Sequence, residues 1–162
     1  MSDFVIVGAR GEIRDPNQLL GRLKSVKGGQ VLALDAALVC GREHLESAVE
    51  HARRALARGS NSSNNIMMET MLYASGERQI SKAQEKMSIK AGSDGVALVL
   101  FGAHKDEVLQ IIGLDEDESV LACSERKLGR FGIGPKELEA VPLAKAVDLV
   151  LERVAFVEVM KR

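Results

Sequence analysis

The seven-residue run GVALVLF at Gly95–Phe101 constrains the fold of this chain more than any other segment. Its apolar side chains fall on both faces of an extended strand, a pattern typical of a strand inside a sheet. Two shorter apolar runs, FVIVG at residues 4–8 and QVLAL at residues 30–34, predict partner strands. We therefore expect a sheet with Gly95–Phe101 in its interior. Residues 36–40 are expected to extend the second partner strand after a bend.

Helical spacing of apolar residues is clearest over residues 41–58, and Gly59 follows at the position where helices commonly end. Pro16, directly after Asp15, marks the start of an earlier helix that ends near Gly28. Further helices are predicted at residues 65–73, 78–89, 105–114, 125–131, 135–141 and 143–152.

The apolar segment VAFVEVM at residues 154–160 predicts a closing strand. Strands then lie at both ends of the chain, with helices clustered between them. This order predicts an α+β (mixed α/β) fold in a single domain, residues 1–162. Its sheet would be small, mostly antiparallel or mixed, with about four to five strands and a cluster of helices.

Composition excludes several classes of protein. A chain of 162 residues buries roughly 70% of its unfolded surface, so it needs no disulfide or metal to fold. Its 22 basic and 23 acidic residues give a net charge of −1, which argues against a protein that binds polyanions over its whole surface. One tyrosine and no tryptophan argue against stacking of many bases, but leave room for one small basic patch with one ring.

Cys40 and Cys123 are isolated in the sequence and form no zinc or redox motif. We expect both to be buried and reduced, which predicts a cytoplasmic location. The start of the chain, MSDFVIVGARGE, lacks the basic segment of a signal peptide, and no run of 18 apolar residues predicts a membrane span.

Sequence motifs of the common enzyme classes are absent. There is no P-loop, no GxGxxG after a strand, no GxSxG and no HExxH. His44 and His51 lie two turns apart on one predicted helix and are expected to be solvated rather than to bind a metal. These absences leave no set of residues that we identify as a catalytic, cofactor or metal site, although they do not by themselves disprove an enzyme.

Four basic residues recur every four positions over the predicted helix 78–89 and its end: Arg78, Lys82, Lys86 and Lys90. Residues at this spacing share one face of a helix. Like charges there repel by a few tenths of a kcal/mol per pair, so the stripe does not favour the helix. Two interpretations stay open at this point, a solvated helix face and a ridge that contacts phosphates.

The segment before this stripe brings together one ring, one glycine and several polar groups. Tyr73 is the only tyrosine, and Gly76 lets the backbone approach a ligand closely. Ser75 can cap the next helix or donate to a phosphate, and Arg78 and Gln79 can contact base edges or phosphates. A capped corner between two helices, with Tyr73 packed beneath it, explains the segment equally well.

At these residues the sequence resembles a known family. The run LYASGERQI at residues 72–80 resembles the kinase-binding subunit of the KEOPS complex, called TPRKB-like or PRPK-binding in animals. GREHL at residues 41–45 and LERVA at residues 151–155 are similar to that family as well. The resemblance is densest over residues 31–89 and indicates an archaeal-type member.

The resemblance implies a non-catalytic subunit of KEOPS, the complex that makes N6-threonylcarbamoyladenosine in tRNA. Such a subunit binds the small kinase-like ATPase of the complex and recruits tRNA through its single-stranded 3′ CCA end. No small-molecule substrate and no membrane partner are expected. The alternative is a pure protein-interaction or regulatory module that binds a kinase-like partner without recognising tRNA directly.

Within this interpretation, the candidate tRNA-binding residues take different roles. Tyr73 would contact a base, Ser75 and the Gly76 backbone would make close polar contacts, and Arg78 and Gln79 would recognise bases or phosphates. Phosphate electrostatics would come from Lys82 and Lys86, with Lys90 peripheral. The sequence does not locate the surface that binds the kinase.

Overall fold

The computed structural model describes residues 3–161 and divides into two compact units. The first unit comprises residues 3–37 and 88–121, and the second comprises residues 38–87 and 122–161. Strands occur only in the first unit among the residues described. The α+β class predicted from the sequence is confirmed. The single domain over residues 1–162 stays a prediction.

The described residues form four strands and eight helices. The strands are β1 (Phe4–Arg10), β2 (Gln30–Asp35), β3 (Gly95–Phe101) and β4 (Asp115–Glu116). The helices are α1 (Pro16–Leu23), α2 (Arg42–Arg58), α3 (Ile66–Ser75), α4 (Ile80–Met87), α5 (Lys105–Ile112), α6 (Glu125–Phe131), α7 (Pro135–Ala140) and α8 (Val147–Met160). Short 3₁₀ helices lie at Ala36–Leu38, Glu118–Leu121 and Leu143–Lys145.

The sheet of the first unit has the order β2-β3-β1-β4, and every pairing is antiparallel. β3 lies in its interior, as the apolar run predicts, with Leu98 opposite Val7 of β1 and Ala33 of β2. Val96, Leu98 and Leu100 share one face of β3, because side chains alternate along a strand. They belong to one apolar cluster with residues of α1 and α5.

Residues 36–40 do not extend β2. The Asp35 carboxylate accepts a hydrogen bond from the Ala37 amide at 3.0 Å, and the chain turns into the 3₁₀ helix Ala36–Leu38. An aspartate side chain that bonds to a backbone amide two residues on is a common way to start a turn.

The closing strand predicted at residues 154–160 is wrong, because these residues belong to α8. Valine-rich segments favour strands when only propensity is considered. Here Val150, Val154 and Val157 follow each other at spacings of four and three, and all three are fully buried. Burial of that stripe against neighbouring helices requires helical geometry, and tertiary packing overrides the local preference.

The helix predicted over residues 78–89 is also shorter than expected, since α4 covers Ile80–Met87. Arg78 precedes the helix and Lys90 follows it. Lys90 belongs to the first unit, where its ammonium lies 4.0 Å from the Asp35 carboxylate. The four basic residues therefore do not form one continuous helical stripe.

The two cysteines are not reduced, contrary to the sequence prediction. Cys40 and Cys123 form a disulfide within the second unit, across 83 positions of sequence. Isolated cysteines carry no spacing signal for such a pair, because only the fold brings them together. The cytoplasmic location was inferred from reduced cysteines, and the disulfide removes that argument. The location itself stays a prediction. No helix among residues 3–161 is long and apolar enough to cross a membrane.

The interior position of β3 gives a stability prediction. Leu98 is fully buried, so Leu98→Ala should lower the free energy of unfolding by about 2–5 kcal/mol in urea titrations. Val5 of β1 is 47% exposed, and Val5→Ala should change the free energy by no more than about 0.5 kcal/mol. Similar losses for the two variants would contradict the interior position of β3.

Candidate functional site

The second unit contains a cavity of about 190 Å³ at the point where four helices meet. Its wall comes from the end of α3, from α4, from the end of α6 and from α8. The lining residues are Ser75, Gly76, Glu77, Lys86, Phe131, Gly132 and Arg153. Three of them, Ser75, Gly76 and Lys86, are candidate residues from the sequence.

Gly76 places bare backbone at this cavity. It ends α3 in the left-handed conformation with φ of +72°, which side chains rarely adopt. A Cβ atom at this position would lie 3.3 Å from the Cβ of Arg153 and 3.4 Å from the Cζ of Phe131. Both the backbone angle and the limited space therefore favour glycine, while the close approach of a ligand to this backbone stays a prediction.

Lys86 is a cation held in place at the cavity. Its ammonium donates to the Ser75 carbonyl at 2.7 Å, lies 3.5 Å from the Glu77 carboxylate and sits 3.9 Å from the centre of the Phe131 ring. Burial lowers the pKa of Lys86, and the neighbouring Glu77 carboxylate opposes that shift. A lysine with this many contacts is positioned before any ligand arrives, unlike a lysine on an open helix face.

Arg153 contributes a second cation from α8. Its Nη2 donates to both oxygens of the Glu137 carboxylate, at 2.8 and 3.1 Å. The hydrogen bond from Arg153 lowers the pKa of Glu137. The cavity is therefore lined by two cations, Lys86 and Arg153, and by one carboxylate, Glu77, so it presents both donors and an acceptor to a polar ligand.

His44 contacts residues on two sides of this cavity. Its Nδ1 accepts from the Cys40 amide at 3.0 Å, and its Nε2 lies 2.7 Å from the Ala74 carbonyl. These partners require the neutral tautomer with the proton on Nε2. The ring also meets Phe131 edge to face, at 5.3 Å between centroids. His44 thus links Ala74, the residue before Ser75, to Phe131 on the other side of the cavity.

The expectation that His44 is solvated is wrong. The side chain is fully buried, and burial lowers its pKa to about 4. His51, in contrast, is half-buried and stacks on the ring of Tyr73, with centroids 5.4 Å apart. Among residues 3–161, no group of three or more His, Cys, Asp or Glu side chains could hold a metal ion.

Tyr73 lies in the interior and not on the surface. It is fully buried, its hydroxyl donates to the Glu158 carboxylate, and that hydroxyl accepts from the Lys161 ammonium at 3.2 Å. Lys161 also donates to the buried Glu69 carboxylate. Burial raises the pKa of Tyr73, which keeps the hydroxyl protonated. The ring offers no face to a base in this structure, which corrects the expected base contact.

Ser75 is also buried, and its hydroxyl is used within the corner. It donates to the Leu72 carbonyl at 2.7 Å and accepts from the Glu77 amide at 3.0 Å. These bonds match the capped corner between two helices, the alternative that the sequence left open. The contribution of Ser75 to the cavity includes its carbonyl, which binds Lys86.

The remaining candidates lie on the surface beside the cavity. Arg78 and Gln79 are exposed in the link between α3 and α4, directly after Glu77, and Lys82 is exposed on the first turn of α4. Together with Gly76 and Lys86 they occupy one continuous segment. The structure therefore groups five of the seven predicted site residues and assigns Tyr73 and the Ser75 hydroxyl to internal bonds.

Sequence reasoning missed three residues of this site, namely His44, Phe131 and Arg153. For Phe131 the sequence holds a weak signal of a site: it is an aromatic residue directly before Gly132, where a helix is predicted to end. Arg153 is the only basic residue between Asp148 and Met160, but it falls between the predicted helix 143–152 and the predicted strand 154–160, so its place within a helix was missed. Nothing in the sequence predicted the burial of His44, which depends on partners 4 and 30 positions away.

A second surface lies on α8, which carries exposed side chains at helical spacing. Phe156 and Val159 are 53% and 55% exposed, although large apolar side chains prefer burial. Asp148, Glu152 and Ala155 are exposed on the same face. The face is therefore acidic in its first half and apolar in its second half. Such a face is typical of a protein contact.

Comparison with known families gives one match. The sequence model of a family described as kinase binding protein CGI-121 matches residues 12–132, which is more than half of the chain. A search of curated proteins finds no significant match.

The buried neutral His44 predicts a pH-dependent stability. The unfolded chain takes up a proton at this histidine near its ordinary pKa of 6.5, whereas the folded chain does so only near about 4. The free energy of unfolding should therefore be highest above pH 6.5 and fall by about 3 kcal/mol from this residue as the pH drops to 4. Urea titrations across this range measure the fall.

Two variants separate this contribution from the other titrating groups. His44→Gln removes the titrating ring, so its stability should depend less steeply on pH between 6.5 and 4. His104→Gln changes an exposed histidine and should keep the wild-type slope. Identical slopes for His44→Gln and the wild type would contradict a buried neutral imidazole.

Proposed function

Because the chain belongs to the CGI-121 family of kinase binding proteins, we propose that it is a non-catalytic subunit of the KEOPS complex. In this role it binds the kinase-like ATPase subunit and recruits tRNA through the 3′ CCA end for N6-threonylcarbamoyladenosine modification. Family membership carries the kinase-binding half of the proposal. The segment from Gly76 to Lys86, beside the cavity, supports the tRNA half.

An unpaired 3′ end is a small, flexible target that carries both phosphates and base edges. Arg78 and Lys82 are exposed and can contact its phosphates, while Gln79 can pair with a base edge. The cavity beside them offers the bare backbone of Gly76, the ammonium of Lys86 and the carboxylate of Glu77. These groups can bind one nucleotide through polar contacts without a stacking tyrosine.

The exposed face of α8 is the surface on which we place the kinase subunit. Phe156 and Val159 would fill an apolar groove on the partner, and Asp148 and Glu152 would pair with basic residues at the edge of that groove. Burial of exposed aromatic and aliphatic side chains is a main source of binding free energy at protein interfaces. Acidic residues next to them favour one orientation of the partner.

The alternative function, a pure protein-interaction module without tRNA recognition, has its own support. Tyr73 is buried, and Lys90 belongs to the other unit, so two features that suggested an RNA surface have structural explanations. The two candidates make the same prediction about the kinase and opposite predictions about tRNA.

If the chain recruits tRNA as proposed, its affinity for tRNA should depend on the 3′ end of the tRNA and on two surface cations of the protein, Arg78 and Lys82. Fluorescence polarisation should show tight binding of intact tRNA and much weaker binding of tRNA that lacks its 3′ single-stranded end. Arg78→Glu with Lys82→Glu should weaken binding of intact tRNA. The slope of log affinity against log salt should shrink by about 0.7 for each phosphate that the variant no longer neutralises.

Arg22→Glu with Lys24→Glu is the matched control, because it makes the same charge change on exposed residues at the end of α1. It should retain nearly all of the affinity. Equal binding of intact and trimmed tRNA would contradict the 3′-end proposal. Absence of any tRNA binding, with the kinase still bound, would favour the protein-interaction module.

The kinase half predicts a hot spot on α8. Phe156→Asp places a charge at the centre of the proposed contact and should weaken binding of the kinase subunit by about 30-fold or more in calorimetric titrations. Leu143→Asp changes another exposed apolar residue of the same unit, outside the face of α8, and should bind like the wild type. Unchanged affinity of Phe156→Asp would exclude this face as the kinase site.

A further inference from the structure

The disulfide between Cys40 and Cys123 has no part in the proposed function, and its two residues differ in exposure. Cys40 is 1% exposed, whereas Cys123 is half-buried and lies between the exposed residues Ala122 and Ser124. Cys123 is therefore the residue of the pair at which we place the attack of an external thiolate. Which sulfur is attacked decides which cysteine leaves as a thiolate.

The surroundings of Cys40 favour its departure as an anion. Cys40 directly precedes Gly41, the residue at the amino end of the 17-residue helix α2. The positive end of a helix dipole stabilises a nearby thiolate. Lys127 adds a positive charge close by, because its ammonium donates to the Val39 carbonyl at 2.8 Å.

The disulfide also holds a wall of the cavity. Cys123 directly precedes Ser124, whose side chain caps α6, and α6 carries Phe131 at its other end. Besides the disulfide, α6 is held by the hydrogen bond from Lys127 to the Val39 carbonyl and by an apolar cluster that includes Cys40, Leu128 and Phe131. A helix of only seven residues with a small buried face depends strongly on a covalent link at its start.

We propose that Cys40–Cys123 is a reversible thiol–disulfide exchange site for a dithiol reductant, and that its redox state controls the order of α6 and of the cavity wall at Phe131.

A thiolate of the reductant attacks the Cys123 sulfur and forms a mixed disulfide. The protein S–S bond breaks, and its electron pair leaves with the Cys40 sulfur, which takes up a proton from water. The second thiol of the reductant, as a thiolate, then attacks the mixed disulfide and releases Cys123, which is protonated in turn. The reductant ends as a disulfide, oxidised by two electrons, and the protein gains two thiols.

The consequence for RNA rests on the proposed function. In the oxidised state Phe131 is held against His44 and Lys86, so the cavity beside Gly76 keeps its shape. Reduction frees the start of α6 and lets Phe131 move away from these contacts. The reduced protein should then bind the 3′ end of tRNA more weakly, and reoxidation by a small-molecule disulfide, through the reverse exchange, should restore the affinity.

Three measurements on the whole protein test this inference. Thiol labelling after treatment with dithiothreitol, without denaturant, should report two new thiols. Hydrogen exchange of residues 125–131 should become faster in the reduced protein, while β3 in the first unit keeps its protection. The affinity for intact tRNA should fall by about fivefold or more on reduction, the range typical of coupled sites. Cys123→Ser should match the reduced wild type and be insensitive to dithiothreitol.

The outcomes separate the inference from the proposed function. A disulfide that stays closed in dithiothreitol, or reduction that leaves the exchange of residues 125–131 unchanged, would overturn the exchange site or its control of α6. If the oxidised protein binds tRNA and reduction leaves the affinity unchanged, redox control of the site is overturned as well. If the oxidised protein binds no tRNA, the tRNA half of the proposed function fails, and the labelling and exchange results still decide the inference.

Discussion

The candidate site depends on one buried imidazole. His44 accepts a hydrogen bond from the Cys40 amide before α2 and donates one to the Ala74 carbonyl near the end of α3. Only a neutral imidazole can serve both partners, and burial keeps it neutral by lowering its pKa to about 4. Its contact with Phe131 extends the same support to α6. The cavity beside Gly76 is therefore shaped by the interior of the second unit.

Much of the fold is encoded locally, and those parts could be predicted. β3 is apolar on both faces and lies inside the sheet, and α2 begins and ends within one residue of its predicted limits. The second half of α8 could not be predicted in this way, because the valines of residues 154–160 favour a strand and only burial of Val154 and Val157 in line with Val150 selects a helix. The disulfide was missed for a similar reason, since its cysteines meet only in the folded chain.

The candidate site shows the same division between local and tertiary information. The segment that contains Gly76, Arg78 and Lys82 was identified from glycine, charge and spacing, which a sequence displays directly. The sequence left open whether Tyr73 is buried, because its partners Glu158 and Lys161 come from the far end of the chain. The near-zero net charge excludes a broad polyanion surface, and it is compatible with a short group of exposed cations beside a cavity with paired charges.

The central claim is that the proposed RNA end binds at the segment from Gly76 to Lys86 and at the cavity supported by His44. Hydrogen exchange tests this claim most directly. It is measured on the protein alone, on the protein with intact tRNA, and on the protein with tRNA that lacks its 3′ end. The account predicts that intact tRNA slows exchange at residues 76–86 and at the end of α6, and that trimmed tRNA leaves both unchanged. Protection that is identical with the two RNAs, or that falls only on the first unit, would contradict the account.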